Sequence, residues 1–208
     1  MDFYRKKVFP ALAEGLWLVF LFLDLTNMAD STWVKFAAIC LCCLTAFLGC
    51  KTADGKLVAL ALCFTVGADW FLLVRNDHYV LGICLFLIVQ LLYSWRLCRL
   101  GSGSPALFRA RVALSCLLVG FTLFPLWCAA VYFINLCVNA AQALALKKRI
   151  FAWGLFLFIL CDICVGAYNL GLFTAFTWWG SWLFYLPSQV LIVLSQETEK
   201  GVLHETAI

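Results

Sequence analysis

Two aspartates lie in the middle of strongly apolar segments of the chain. Asp69 follows a run of aliphatic residues in the segment 57–74, and Asp162 is flanked by cysteines and aliphatic residues in 150–172. Each segment is long enough to cross a bilayer, which takes about 20 apolar residues. An ionisable side chain inside such a segment costs about 2.5–3.5 kcal/mol on insertion scales, so it is a functional candidate by default. The two carboxyl groups are therefore the first candidates for chemistry.

Two carboxyl groups in apolar surroundings can divide the work of an acid and a base. In a site of low dielectric constant, one can stay protonated while hydrogen-bond donors keep the other ionised. Glycosidases use this arrangement around an acid-labile C–O bond. The pattern predicts a site that breaks a lipid C–O bond by protonation and then adds water.

The composition excludes a soluble protein. Of the 208 residues, 65% are hydrophobic and 12% are charged, whereas soluble domains have about 45–50% apolar and about 25% charged residues. The net charge of +4 reports membrane topology rather than nucleic-acid binding, so no nucleic-acid partner is expected. Most of the twelve cysteines lie in apolar runs, where cysteine behaves as a small buried hydrophobe.

The hydropathy pattern predicts an all-α polytopic membrane protein with eight transmembrane helices. Residues 1–208 form a single integral membrane domain with a polar tail from about residue 196. A kinked single helix is the alternative at Phe124-Pro125, where spans five and six nearly fuse. The predicted spans are Phe9–Leu25, Val34–Cys50, Leu57–Val74, Tyr79–Leu97, Leu107–Phe124, Leu126–Ala145, Ile150–Leu172 and Trp178–Leu194.

The distribution of basic residues predicts the orientation. With eight crossings, both termini and the second, fourth and sixth connections share one side, and thirteen of the fifteen Lys and Arg residues lie there, including Lys200. Only Lys35 and Arg75 lie on the other side. The positive-inside rule therefore places both termini in the cytoplasm. A bacterial cytoplasmic membrane is the expected location.

Other spans carry polar residues near the depth of the aspartates. Polar side chains in lipid must find partners, so we expect them to converge on one interior site. The alternative is that the amides and tyrosines only join neighbouring helices and that the aspartates only pair with a cation such as Lys35. Asp24, Asp30, Asp54 and Asp77, at span ends or in loops, are expected to be solvated. The converging candidates are Lys35, Gln90, Tyr93, Tyr132, Asn135, Asn139, Tyr185 and Gln189.

The residue inventory removes several enzyme classes. Histidine occurs only at His78, in a loop, and at His204, in the tail. A zinc site built from several helix-borne histidines is therefore not expected, and no G-x-S-x-G motif is present. The sequence predicts no metal site and no cofactor.

Short motifs in six of the spans resemble the lysoplasmalogenase (YhhN-like) family of eight-span membrane enzymes. The resemblance extends from about residue 34 to 195. The motifs are Val34-Lys35-Phe36, Gly67-Ala68-Asp69 with Leu72, Gly82-x3-Phe86-x3-Gln90-x2-Tyr93, Tyr132, Gly154-x3-Phe158-x3-Asp162 and Tyr185-x3-Gln189-x2-Ile192.

The resemblance implies a metal-free hydrolase with a lysophospholipid substrate held in bilayer lipid. Members cleave the vinyl ether of lysoplasmalogens, giving a fatty aldehyde and a glycerophospho-alcohol. This chain departs from the family at Ala68, at Phe36, where members have proline, and at Gln90, where members have histidine. Gln90 cannot exchange protons as histidine does, which indicates a different head group, a different lipid or no activity.

The resemblance and the paired aspartates together give a hypothesis for the mechanism. One aspartate protonates the vinyl β-carbon, and the other stabilises the oxocarbenium ion and activates water. Lys35 would hold the lipid phosphate. The residues that would orient water and the glycerol hydroxyl are Tyr93, Tyr132, Asn135, Tyr185 and Gln189. The alternatives are a small proton-coupled transporter and a non-catalytic lipid-binding relative of the hydrolase.

Overall fold

The computed structural model describes residues 3–101 and 104–197, apart from the side chain of Trp178. Residues 198–208 of the predicted polar tail, which include Lys200 and His204, lie outside the described residues. The described chain is all-α and contains no β-strand, as predicted. Its eight helices are α1 Phe9–Thr26, α2 Thr32–Leu48, α3 Ala53–Asp69, α4 Tyr79–Leu100, α5 Pro105–Phe121, α6 Pro125–Ala145, α7 Arg149–Asn169 and α8 Thr174–Leu194.

Five helical segments of the described chain are long and apolar enough to cross a membrane. The protein is therefore an integral membrane protein, whereas the number of eight crossings stays a prediction. A further helix, α2, is apolar but shorter. The five segments are Tyr4–Thr26, Ala53–Val74, Tyr79–Leu100, Pro125–Ala145 and Arg149–Asn169.

The break between α5 and α6 is local in origin. Thr122 and Phe124 both have extended backbone conformations, and Phe124 precedes Pro125, whose ring disfavours a helical conformation in the residue before it. Pro125 then begins α6, because the first turn of a helix needs no donor from its backbone nitrogen. The alternative of one kinked helix across Phe124-Pro125 is wrong.

Six of the helices close a ring. Contacts run from α2 to α3, α4, α6, α7 and α8 in turn, and α8 returns to α2. Helix α1 packs outside the ring against α2 and α8, and α5 packs outside it against α4 and α6. Every candidate site residue lies on a ring helix. The inner end of the ring is defined here by the α2–α3, α4–α5 and α6–α7 connections, and the outer end lies opposite.

A close approach of α7 and α8 depends on Gly154. A Cβ atom at this position would lie 3.0 Å from Ile192 Cγ1 and 3.2 Å from the backbone oxygen of Ser188. Small residues allow helices in membranes to pack with their backbones in near contact. Gly154 thus sets the position of the inner half of α8.

Two ion pairs close the ends of the ring, and they correct the prediction that Asp24 and Asp54 are solvated. Near the outer end, Lys35 Nζ lies 2.7 Å from Asp24 Oδ2, with side chains 6% and 8% exposed. At the inner end, Arg96 binds Asp54 through two bonds of 2.6 and 2.9 Å. Each acid lies at a helix end in sequence, but a neighbouring helix covers it and supplies its cation.

Candidate functional site

Asp69 is bound by a tyrosine from across the ring. Tyr185 of α8 donates its hydroxyl hydrogen to Asp69 Oδ2 at 2.6 Å, and Asp69 is 4% exposed. Both helices are irregular at this point. A π-helical turn, Trp70–Val74, follows Asp69, and Pro187 inside α8 removes a backbone donor from the helix. Irregular turns of this kind often accompany functional sites.

Asp162 is bound in the same way by a tyrosine of the neighbouring helix. Tyr132 of α6 donates to Asp162 Oδ2 at 2.6 Å. Tyr132 is buried and Asp162 is half-buried. Each aspartate therefore uses one carboxyl oxygen to accept a phenol, which orients the carboxyl group and leaves its second oxygen for another partner.

The two carboxyl–phenol pairs meet around one aromatic cluster, formed by Phe86, Tyr132, Phe158 and Tyr185. The ring of Phe158 lies 6.4 Å from that of Tyr132 and 5.5 Å from that of Tyr185, measured between centroids. Phe86 packs against Tyr132 and Phe158 at 5.7 and 5.6 Å. The structure thus brings two acids and two phenols into one apolar region.

A second layer of polar groups lies toward the inner end. Gln90 follows Phe86 by four residues and Gln189 follows Tyr185 by four, so each lies about one turn, 5.4 Å, inward of the aromatic cluster. We call Gln90, Tyr93, Ser188 and Gln189 the amide layer. All four are at most 1% exposed. Within the described chain, no protein group hydrogen-bonds Gln90 Nε2, Tyr93 Oη, Ser188 Oγ or either amide atom of Gln189.

Lys35, proposed from the sequence as a phosphate ligand, is engaged in another contact. Its ammonium group forms the buried ion pair with Asp24 and lies 5.1 Å from the centroid of the Trp182 ring. The Trp182 ring in turn packs edge-on against Tyr185 at 5.1 Å. Lys35 therefore borders the site, but its charge is neutralised by Asp24 and not by a site aspartate.

Asn135 is hydrogen-bonded by two residues of α5. Its side-chain oxygen and its backbone oxygen both accept hydrogen bonds from Arg111, at 2.6 Å each. Its amide nitrogen donates to Ser115 and to the backbone of Val131. These contacts attach α5 to the ring and engage both side-chain atoms of Asn135, so its role in orienting water stays a prediction.

Sequence reasoning gave Arg111 no role in the site and placed Asn139 only among the polar residues expected to converge there. Arg111 was counted only as a topological charge, although it lies well inside the fifth helix, which begins at Pro105. In the structure it donates to Asn139 Oδ1 at 3.0 Å, and Asn139 Nδ2 donates to Gln90 Oε1 at 3.0 Å. The four-residue spacing of Asn135 and Asn139 on one helix face was the signal that could have indicated a shared partner.

The site contains no arrangement suited to a metal ion. No group of three His, Cys, Asp or Glu side chains could hold one in residues 3–101 and 104–197. What the arrangement offers is proton transfer by two oriented carboxyl groups beside an apolar aromatic cluster.

The YhhN family model matches residues 31–196 of the chain. The match includes all six ring helices and therefore both carboxyl–phenol pairs. No curated protein and no solved structure matches the chain.

Proposed function

The chain belongs to the YhhN family, and on that premise we propose that it is a membrane hydrolase for lysoplasmalogens. It would cleave the vinyl ether of these lysophospholipids, giving a fatty aldehyde and glycerophospho-ethanolamine or glycerophospho-choline. Lysoplasmalogenase-type activity is the function to which the family resemblance points, and the site chemistry is compatible with it.

The observation that carries this proposal is the paired arrangement of Asp69 with Tyr185 and Asp162 with Tyr132, around a single aromatic cluster. A vinyl ether is stable in water near neutral pH but breaks once its β-carbon is protonated. A site for this reaction needs one proton donor, one proton acceptor and a water molecule, all close to an apolar chain. The two carboxyl groups supply the first two requirements.

The reaction would proceed in two stages. One aspartate, as the carboxylic acid, transfers its proton to the vinyl β-carbon, and the double bond becomes an oxocarbenium ion. Water then attacks the cationic carbon while the other carboxylate accepts a water proton, which gives a hemiacetal. In the second stage, one carboxylate takes the hemiacetal hydroxyl proton and the other carboxyl group returns a proton to the glycerol oxygen. The bond between the former vinyl carbon and the glycerol oxygen breaks. One water is consumed, and no electrons are exchanged with a cofactor.

The surroundings of the acids suit the charge that develops. The faces of aromatic rings are negative and attract cations, so Phe158 and the two tyrosine rings would stabilise an oxocarbenium ion at their centre. Dipoles fixed before the reaction stabilise a transition state without the cost of reorganising solvent. Tyr132 and Tyr185 would act as positioning residues, because they touch the carboxyl groups and not the reacting carbon.

We also propose that the chain crosses the membrane eight times with both termini in the cytoplasm of a bacterial cell. The inner end of the ring then faces the cytoplasm. The support is that thirteen of the fifteen Lys and Arg residues lie on the same side of the membrane when the chain crosses it eight times, which the positive-inside rule assigns to the cytoplasm. Topology reporters fused after Asp77 and after Leu146 test the arrangement. A periplasmic reporter at the first position and a cytoplasmic one at the second are expected, and two reporters on the same side would contradict it.

The direct test of the hydrolase is turnover of a lysoplasmenyl-ethanolamine and a lysoplasmenyl-choline by the purified protein in ¹⁸O-labelled water. Aldehyde release with no ¹⁸O in the glycerophospho-alcohol is expected, because the bond between the glycerol carbon and its ether oxygen stays intact. Label in the alcohol would exclude this mechanism. No aldehyde from folded protein would contradict the hydrolase, and proton-dependent flux in proteoliposomes would then favour a transporter.

A further inference from the structure

The orientation of the Gln90 amide is fixed by a residue outside the ring, Arg111. A guanidinium group has five donors and no acceptor, so the Asn139 atom that lies 3.0 Å from Arg111 Nη1 must be the oxygen. The nitrogen of the Asn139 amide consequently points the other way. It donates to the backbone oxygen of Gln90 at 2.8 Å and to Gln90 Oε1 at 3.0 Å.

Gln90 then has only donors to offer to the ring interior. Its Oε1 is used by Asn139, and its Nε2 is fully buried without an acceptor among the described residues. The side chain lies one turn inward of the aromatic cluster, in the amide layer. An unmatched buried donor costs free energy, which is recovered when a ligand supplies an acceptor at this point.

The charge of Arg111 adds a preference for anions. The described groups that accept its hydrogen bonds are all neutral and belong to Ser94, Asn135, Asn139 and Gln142. The two buried cations of the ring helices differ from Arg111, since Asp24 neutralises Lys35 and Asp54 neutralises Arg96.

We propose that Gln90 Nε2 binds a phosphodiester oxygen of the lysophospholipid, and that Arg111 and Asn139 orient the Gln90 amide so that its hydrogen-bond donor faces this oxygen. The inference rests on the proposed lysolipid substrate and assigns its orientation. The phosphate lies in the amide layer, toward the inner end, with Tyr93 Oη and Ser188 Oγ as further donors. The vinyl ether lies about one helical turn outward, between the aspartates, and the glycerol unit spans the two layers.

The test compares two ligands that the enzyme cannot hydrolyse, because both carry a saturated alkyl ether. One is a 1-O-alkyl-lysophosphoethanolamine, and the other is the 1-O-alkylglycerol with the same chain and no phosphate. Dissociation constants are measured by thermal shift on the purified full chain. We expect the wild type to bind the phosphate-bearing lipid more tightly than the alkylglycerol.

Asn139→Asp should make Gln90 present a hydrogen-bond acceptor to the ring interior instead of a donor. The new carboxylate accepts from Arg111, neutralises it and turns Gln90 so that Oε1 faces the interior. We expect affinity for the phosphate-bearing lipid to fall by about tenfold or more, with alkylglycerol affinity unchanged. If Asn139 only supported the fold, the substitution would lower the thermal midpoint without ligand and weaken the binding of both lipids alike. The new ion pair with Arg111 should instead preserve or raise that midpoint. Asn169→Asp, on the exposed outer end of α7, is the matched control.

Gln90→Met provides a second variant that removes the donor at similar volume. It should also lose the preference for phosphate. If both variants keep the wild-type preference, or if the wild type shows none, the inference is wrong. The binding test is independent of turnover. If the wild type releases aldehyde but both variants keep its preference for phosphate, only the subsite is contradicted. If both variants lose the preference but the wild type releases no aldehyde, only the hydrolase is contradicted.

Discussion

Tyr185 donates its hydroxyl hydrogen to Asp69 at 2.6 Å although the two residues are 116 positions apart. The bond joins α3 to α8 across the ring, at the point where α3 passes into a π-helical turn and α8 contains Pro187. Tyr132 and Asp162 repeat the relationship between α6 and α7. The two bonds tie both carboxyl groups to tyrosines whose rings pack against Phe158.

Tyr185→Phe and Tyr132→Phe should each reduce turnover while leaving the lipid affinity almost unchanged. Each substitution removes one hydrogen bond to a carboxyl group, an interaction of about 1.5–3 kcal/mol, which corresponds to a decrease in kcat of about 10–100-fold. Aldehyde release at saturating lysoplasmenyl lipid measures the effect. Tyr79→Phe, at the exposed start of α4, is the control, and an equal loss in the control would contradict the assignment.

Gly154→Ala should lower both stability and turnover. The added methyl group would meet the backbone of α8 at Ser188 and Ile192, so α8 must shift beside the amide layer. Gly166→Ala in the same helix is a matched control, because a Cβ there meets nothing within 4 Å. Its higher helix propensity should stabilise the protein by up to about 1 kcal/mol. Thermal midpoints of the two variants that do not differ would contradict the close packing of α7 and α8.

Lys35→Met should destabilise the protein strongly, because it leaves the buried Asp24 without its cation. Loss of one partner of a buried ion pair costs about 3–5 kcal/mol. Adding Asp24→Asn should restore much of the thermal midpoint, since the unpaired charge is then also removed. The double variant should keep wild-type KM for the lysolipid. A large rise in its KM would instead support Lys35 as the ligand of the phosphate.

Arg96→Lys should loosen the inner end of the ring. Lysine cannot reproduce the two-pronged contact with Asp54 or the bonds to Ser195, because its ammonium group is a single point of donation. We expect a loss of about 1–3 kcal/mol in the free energy of unfolding. Arg99→Lys, on the exposed side of the same helix, should cost little stability. Equal losses of stability in the two variants would exclude a role for the buried bidentate contact between Arg96 and Asp54.

Helix positions were predictable from the sequence, because apolar runs and their polar interruptions report directly on membrane-spanning helices. Each of the eight helices overlaps a predicted span, and Asp69 and Asp162 stood out because few charged residues lie in such runs. The family was also identified from short motifs, and the match over residues 31–196 confirms it.

The partners of these residues were not predictable. Hydropathy does not say which helix faces which, so Asp24 and Asp54 looked like solvated loop residues until α2 and α4 supplied their cations. The same gap explains Asn135, whose depth matched the aspartates but whose helix face turns toward α5 and Arg111. A single sequence carries the depth of a residue in its span, but not its direction around the helix axis relative to distant helices.

The most direct test of the account measures fatty-aldehyde release from a lysoplasmenyl lipid by wild type, Asp69→Asn and Asp162→Asn, with the exposed Asp30→Asn as a control. Acid–base groups contribute about 10²–10⁴-fold to rate, so each site variant should lose at least about 100-fold while Asp30→Asn keeps wild-type turnover. Each variant must keep the wild-type thermal midpoint for the comparison to count. Full turnover by either Asp69→Asn or Asp162→Asn would contradict the paired-carboxyl mechanism.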